Sequence, residues 1–308
     1  MALTAFAAVL LLEVLVGRGR AGEAGPDATP GEETKDSEPA PTVEEAATDY
    51  AGEEVCAVCH EAEAASYTSS VHARVLGDAS RPPAQRGCEA CHGPGANHAE
   101  AGGGRGVGNL ETFAPSRAAA VRSRPCLACH GDDAALFRVR TGPHAVAGLA
   151  CTECHSGHRA AAAHLLRAAP PDLCYGCHLQ VRAEFALPER HRVDRGLITC
   201  GDCHEVHGGR ATGLLRPAGN RQCLRCHVEF EGPYVFEHAA VFNEGCTRCH
   251  VPHGSVDRHL LIRQQVAQLC YECHTVTPAF HLQPSYRDCT RCHVAIHGSN
   301  ISPLFLEQ

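Results

Sequence analysis

The chain has 308 residues with 20 Cys, 22 His, 9 Phe, a single Met and no Trp, at a formal net charge of −8. So few large apolar side chains cannot build an ordinary core for a chain of this length, and Cys and His must supply something else. Nothing in the charge favours nucleic acid, because residues 55–308 carry 24 Arg, no Lys and 23 Asp or Glu.

Residues 1–21 contain the apolar run ALTAFAAVLLLEVLV at 2–16, followed by small residues around Ala21 and Ala24, which reads as a signal peptide. It is atypical: no basic residue precedes the run, and Glu13 interrupts it. An uncleaved anchor or a misplaced start codon are the alternatives, although 15 residues are short for a membrane span. Residues 22–54 follow with 11 acidic residues against Lys35 and with Pro26, Pro30, Pro39 and Pro41. That is the composition of a disordered linker, read either as a solvated spacer or as an acidic docking arm for a basic redox partner.

From residue 55 to 308 the cysteines fall into ten C-x-x-C pairs, each followed at once by His. The first five are Cys56, Cys59 and His60; Cys88, Cys91 and His92; Cys126, Cys129 and His130; Cys151, Cys154 and His155; and Cys174, Cys177 and His178. The second five are Cys200, Cys203 and His204; Cys223, Cys226 and His227; Cys246, Cys249 and His250; Cys270, Cys273 and His274; and Cys289, Cys292 and His293. Disulfide frameworks and zinc sites need spaced cysteines, but neither needs the adjoining His ten times in ten. Two thiols three residues apart reach the two vinyl groups on one porphyrin edge as thioethers, and the next imidazole lies under the iron. The pattern therefore predicts ten covalently attached c-type haems with those ten histidines as proximal ligands. Bacterial haem attachment takes place outside the cytoplasm, so export is required whatever the quality of the signal.

A longer period overlies the motifs. The first cysteines at 126, 174, 223 and 270 repeat every 47 to 49 residues, and each period holds two motifs. Each also holds a lone His between its motifs (His144, His191, His238, His281) and a trailing His three or four residues past the second (His158, His207, His253, His297). The longer first unit supplies His72 and His98. Linking segments echo one another as HLLRAAPPDLC at 164–174, GLLRPAGNRQC at 213–223 and HLLIRQQVAQLC at 259–270. Each iron needs a second axial ligand; the only Met is Met1 and the only Lys lies in the linker, so the ten repeated histidines are the expected distal ligands. Of the 12 non-motif histidines this leaves out His164 and His259, whose equivalent in the middle unit is Gly213. A trailing His so near its own motif cannot reach the opposite face of the same ring, so it must cross to a neighbour. Bis-histidine ligation saturates the iron and favours electron transfer over substrate chemistry.

About 25 residues per haem make the porphyrins the core and the polypeptide a coat. The expected fold is a multihaem cytochrome c, an elongated haem file wrapped by short α-helices, as at 174–186 and 262–274, and irregular loops with little or no β-sheet. The decahaem domain spans 55–308, with pentahaem halves at about 55–178 and 179–308 as a possible subdivision. With about 20 propionates on ten haems, an all-Arg cation set suits bidentate pairing.

The strings SVHAR at 70–74, GCEACHGPGANH at 87–98, RAEFALPERH at 182–191 and CGDCHEVHG at 200–208 resemble the MtrA/DmsE/PioA-type decahaem cytochromes of outer-membrane electron conduits. So do EGPYVFEHAAV at 231–241, CTRCHVPHGS at 246–255 and CHVAIHGSN at 292–300, and the likeness covers the whole haem region. The resemblance implies a periplasmic, non-enzymatic wire held in or against an outer-membrane β-barrel porin. Such a wire passes electrons between periplasmic or inner-membrane cytochromes and an outer-surface cytochrome or extracellular substrate, in metal reduction or Fe(II) oxidation. It also implies the same ten distal histidines. The tail ISPLFLEQ and the acidic linker depart from the commonest pattern, and an N-terminal extension resembles the iron-oxidising branch. Two other functions stand beside the conduit: a soluble periplasmic electron shuttle, and a multihaem reductase, which needs an open iron.

Overall fold

The computed structural model describes residues 49–307 apart from 210–211, 217–218, 276–277 and 287. The expected signal segment and residues 22–48 of the acidic stretch lie outside the described residues. The described residues belong to one unit, Thr42–Gln308.

Short helices dominate, and many of them carry the motifs. Glu53–Cys59, Glu89–His92, Ala119–His130, Cys151–Cys154, Asp172–Tyr175, Cys200–Cys203, Arg221–Leu224 and Val266–Tyr271 each hold one or both cysteines of a motif. Two of the shortest are held by the acidic residue inside the motif. Glu153 Oε2 accepts the N–H of Ala150 at 2.7 Å, and Asp202 Oδ2 accepts that of Thr199 at 2.6 Å, so a side chain at the third helical position reaches back to the cap. Arg122, buried beneath the Cys151–Cys154 turn, pairs with Glu153 and donates to the Arg117 carbonyl.

The helix expected over 174–186 is split into Asp172–Tyr175 and Leu179–Glu184, because His178 leaves the helical region at φ −88°, ψ 62°. The one expected over 262–274 is confined to Val266–Tyr271. Sheet is minimal, as composition suggested: β1 (Glu189–Arg190) pairs antiparallel with β2 (Gly254–Ser255), Arg190 opposite Gly254.

The boundary placed at residue 54/55 is corrected upstream. Glu53 and Glu54 form the first turn of the helix Glu53–Cys59, where carboxylates suit the positive end of the helix dipole. Ahead of them, the N–H groups of Ala51 and Gly52 donate to the Glu89 carboxylate at 2.8 and 3.0 Å. Acidic composition hid this, since a buried acceptor 37 residues away does not register in a local window.

The protein core is slight. Among the described residues the buried apolar side chains are Tyr67, Leu76, Ala150, Val193, Ala267 and Ala295, half of them alanine. Larger aromatics pack on imidazoles instead, with ring centroids at 5.3 Å for Phe113 on His92, 5.2 Å for Phe185 on His253, 4.3 Å for Phe230 on His297 and 5.5 Å for Phe305 on His238. Apolar surface is thus gathered around the histidines.

Candidate haem sites and the pairing of histidines

Every motif histidine faces one of the repeated non-motif histidines. The ten pairs are His60 with His98, His92 with His158, His130 with His72, His155 with His207 and His178 with His144. They continue with His204 and His253, His227 and His191, His250 and His297, His274 and His238, and His293 and His281. Ring centroids are 5.9 Å apart in the His92 pair and 6.3 Å in the His60 pair, with the other eight between these values.

That separation fits an iron between two imidazoles. A nitrogen bound at about 2.0–2.1 Å puts its ring centroid about 3.2 Å from the metal, so two opposed rings stand about 6.3 Å apart. Direct aromatic contact spans roughly 4.5–7 Å, so one pair at 6 Å would be uninformative. Ten pairs within 0.4 Å of one another, each joining one motif His to one repeat His, are not what casual contact gives.

The ring nitrogens point the same way. Nδ1 of His92, His98, His144 and His155 bonds to the backbone carbonyl of Glu111, Val107, Val206 and His164 at 2.8–3.1 Å. Nδ1 of His191, His204, His250 and His293 bonds to that of Pro252, Gly213, His259 and Leu304 at 2.6–2.7 Å. His253 Nδ1 instead meets the Glu184 carboxylate at 2.8 Å. An Nδ1–H given to an oxygen fixes the tautomer and leaves the Nε2 lone pair for a metal. Burial, and then the facing imidazole, lower the pKa of His72, His158, His207, His238 and His297, holding them in the neutral form that a ligand requires.

His164 and His259 stand outside the ten pairs, and their backbone explains the loop they sit in. Each has φ 59°, in the left-handed region, as Gly213 does at 70°. Each lies nine residues after a motif His and turns its carbonyl onto that His Nδ1. The following leucine, Leu165, Leu214 or Leu260, is also left-handed and takes the N–H of the residue after the motif at 2.6–2.7 Å. What the three loops share is a carbonyl in this position, and Gly213 serves without a side chain. This support is the functional feature that sequence reasoning missed, though the HLLR and GLLR echo marked its place.

Pairing follows a rule. The lone His of each unit serves the first motif of the next unit (His72 to His130, His144 to His178, His191 to His227, His238 to His274). The trailing His serves the second motif of the previous unit (His158 to His92, His207 to His155, His253 to His204, His297 to His250). Only the ends close on themselves, with His98 on His60 and His281 on His293. Across 178/179, the place of the possible subdivision into pentahaem halves, run the His155 and His207 pair and a Cys174–Cys200 thiol contact.

Cysteine neighbours give the order of the motifs in space. None of the 20 cysteines is in a disulfide. Within each unit the first thiols are neighbours: Cys56 and Cys88, Cys126 and Cys151, Cys174 and Cys200, Cys223 and Cys246, and Cys270 and Cys289. Between units the second thiols are close: after burial, Cys129 helps raise the pKa of Cys91, Cys177 that of Cys154, Cys226 that of Cys203 and Cys273 that of Cys249. The motifs therefore succeed one another in space in chain order, joined alternately through first and second cysteines.

Replacing His207 by Ala is expected to turn one low-spin haem five-coordinate and high-spin, whereas His164→Ala and His259→Ala leave the spectrum unchanged. Electron paramagnetic resonance of the oxidised protein reads this directly, and a high-spin signal from His164→Ala would overturn the pairing.

Comparison with known proteins agrees with this architecture. The doubled CXXCH motif family model matches residues 144–183, 191–232 and 238–279. Each match opens on a lone histidine, runs through the second motif of that unit and reaches the first motif of the next, which this histidine faces. The chain is also 32% identical over 273 residues to the multihaem cytochrome MtrA of Shewanella baltica (strain OS185), covering 81% of this chain and 79% of that protein. With covalently bound c-type haem indicated by its motifs and a relative matched along most of both chains, the protein belongs to the MtrA-type family of multihaem c-type cytochromes.

Proposed function

We propose that this protein carries ten haems in one file and conducts electrons across an outer membrane as the wire of a porin–cytochrome conduit, reached from the periplasm. The observation that carries the reading is the set of ten opposed histidine pairs strung in chain order. A histidine on each side of every iron supports electron transfer and leaves no iron position for a substrate, which speaks against the reductase. The haems supply one-electron chemistry, and the chain sets their spacing, ligands and surroundings.

No helix among the described residues is long and apolar enough to cross a membrane. An Arg-rich haem protein set directly in lipid would bury charge at large cost, so a β-barrel partner supplies the polar lining. The file's two ends are then the places where periplasmic or inner-membrane cytochromes and an outer-surface acceptor or donor meet it.

Intact mass is expected to give ten covalent haems, with no thiol reacting under denaturing conditions. For the conduit itself, liposomes enclosing a reducible dye are given an external reductant, with the cytochrome alone or with its barrel. Dye reduction is expected only with the barrel. Equal reduction without it, or none with a demonstrably assembled complex, would leave the soluble shuttle as the better account.

A further inference from the structure

The first two motifs share a junction built around two carboxylates. Glu89 lies between Cys88 and Cys91, is only 6% exposed, and accepts three backbone N–H groups, from Ala51, Gly52 and Gly95, at 2.7–3.0 Å. Both carboxylate oxygens act as acceptors, the pattern of the ionised form. Glu53 closes on the same junction: a Cβ on Gly87 would come within 2.8 Å of its Oε2.

Among the described residues neither carboxylate is in an ion pair. Inside later motifs Glu153 is paired with Arg122, and Glu272 with Arg248 and Arg263, while Asp202 is in no ion pair and is held below the usual carboxylate range by hydrogen bonds from Thr199 and then by Arg225 and Arg216. At the Cys223 and Cys246 junction the residues inside the two motifs include Arg225 and Arg248.

The influence of this pair on its surroundings is visible. Burial, then Glu89, raise the Cys56 thiol, and burial and Glu53 push the Tyr67 hydroxyl to about 12. Both groups feel a negative field that water screens poorly.

From this placement, which rests on the haem reading above, we propose that Glu53 and Glu89 make the first two haems the lowest-potential pair of the file. Each iron cycles between ferric and ferrous by one electron, with no bond made or broken, and the ferric site carries one more positive charge. A fixed carboxylate nearby stabilises that extra charge, so it favours the oxidised form and depresses the potential. With the same two histidine ligands at every site, axial chemistry does not separate the haems, and local charge does. Electrons delivered at the Glu53 end then run downhill along the chain.

The test is a spectropotentiometric titration of the full haem-loaded protein and three variants. Glu89→Gln keeps an oxygen for Ala51 and Gly95 and removes the charge; Glu53→Gln removes the other charge and leaves all three Glu89 bonds; Glu89→Asp keeps the charge. Each Gln variant is expected to shift the lowest two electrons of the curve upward by about tenfold in equilibrium constant, about 59 mV for one electron, with the upper eight unmoved. Glu89→Asp is expected to stay with the parent. Unchanged curves in both Gln variants, or an Asp variant that shifts as far as Gln, would overturn the proposal. Should Glu89→Gln lose haem, Glu53→Gln decides alone. A parent protein with fewer than ten low-spin haems refutes the haem reading instead, and mass and spin state reveal that before any potential is measured.

Discussion

A chain ending at Gln265 is expected to carry eight haems, of which one is high-spin. The cut removes the helix Val266–Tyr271 and both motifs of the last unit, but leaves the first eight motifs and the loop that holds His250. Seven of those eight keep the histidine they face, because His72, His98, His144, His158, His191, His207 and His253 all lie upstream. The eighth, at His250, faces His297 and loses it, while His238 is left without its partner His274. If units ligated their own irons, the same truncation would give eight low-spin haems. Electron paramagnetic resonance with intact mass distinguishes the two, and an all-low-spin eight-haem product would refute the exchange of ligands between units.

A second large effect concerns folding without haem. The chain made in a compartment that does not attach haem is expected to show no cooperative thermal transition, whereas the haem-loaded protein melts cooperatively. The six buried apolar side chains among the described residues, three of them alanine, are far too little to offset ordering about 250 residues. The aromatics do not compensate, because Phe113, Phe185, Phe230 and Phe305 pack on imidazoles of the proposed haem sites and not on one another. Folding free energy therefore comes largely from ligation and from apolar porphyrin surface, as in other metal-dependent folds. Circular dichroism across a thermal ramp decides it, and a cooperative melt of the haem-free chain would show that the polypeptide has a core of its own.

Much of this arrangement is legible in the residues. Ten adjoining histidines identify the attachment chemistry, and the 47–49-residue period isolates the ten histidines that later face them. The partner of each is not legible. His207 is three residues from His204 and 52 from His155, and only the fold sends it to the distant one. Likewise nothing local announces that His164 and His259 are there for a backbone oxygen, since a left-handed φ is a property of the loop and is shared by Gly213. Helices were overextended at 174–186 because a helical pattern there runs through the motif, while His178 must leave the helix to face His144. Residues 51–54 were assigned to the linker because their anchor, Glu89, is far along the sequence.

The self-closing ends have a consequence for how such a chain changes size. Each internal unit gives one histidine forward and one back and takes one from each side, like a monomer with complementary hands. The terminal units behave as end groups, since His98 and His281 each satisfy a motif of their own unit. A copied internal unit inserted in register meets a donor and an acceptor on both flanks, and the array simply grows by two haems. The fifth unit offers no histidine forward, because His281 is already engaged with His293. Duplication within the array is the change that these pairings accommodate, because a copied internal unit finds both of its partners already in place.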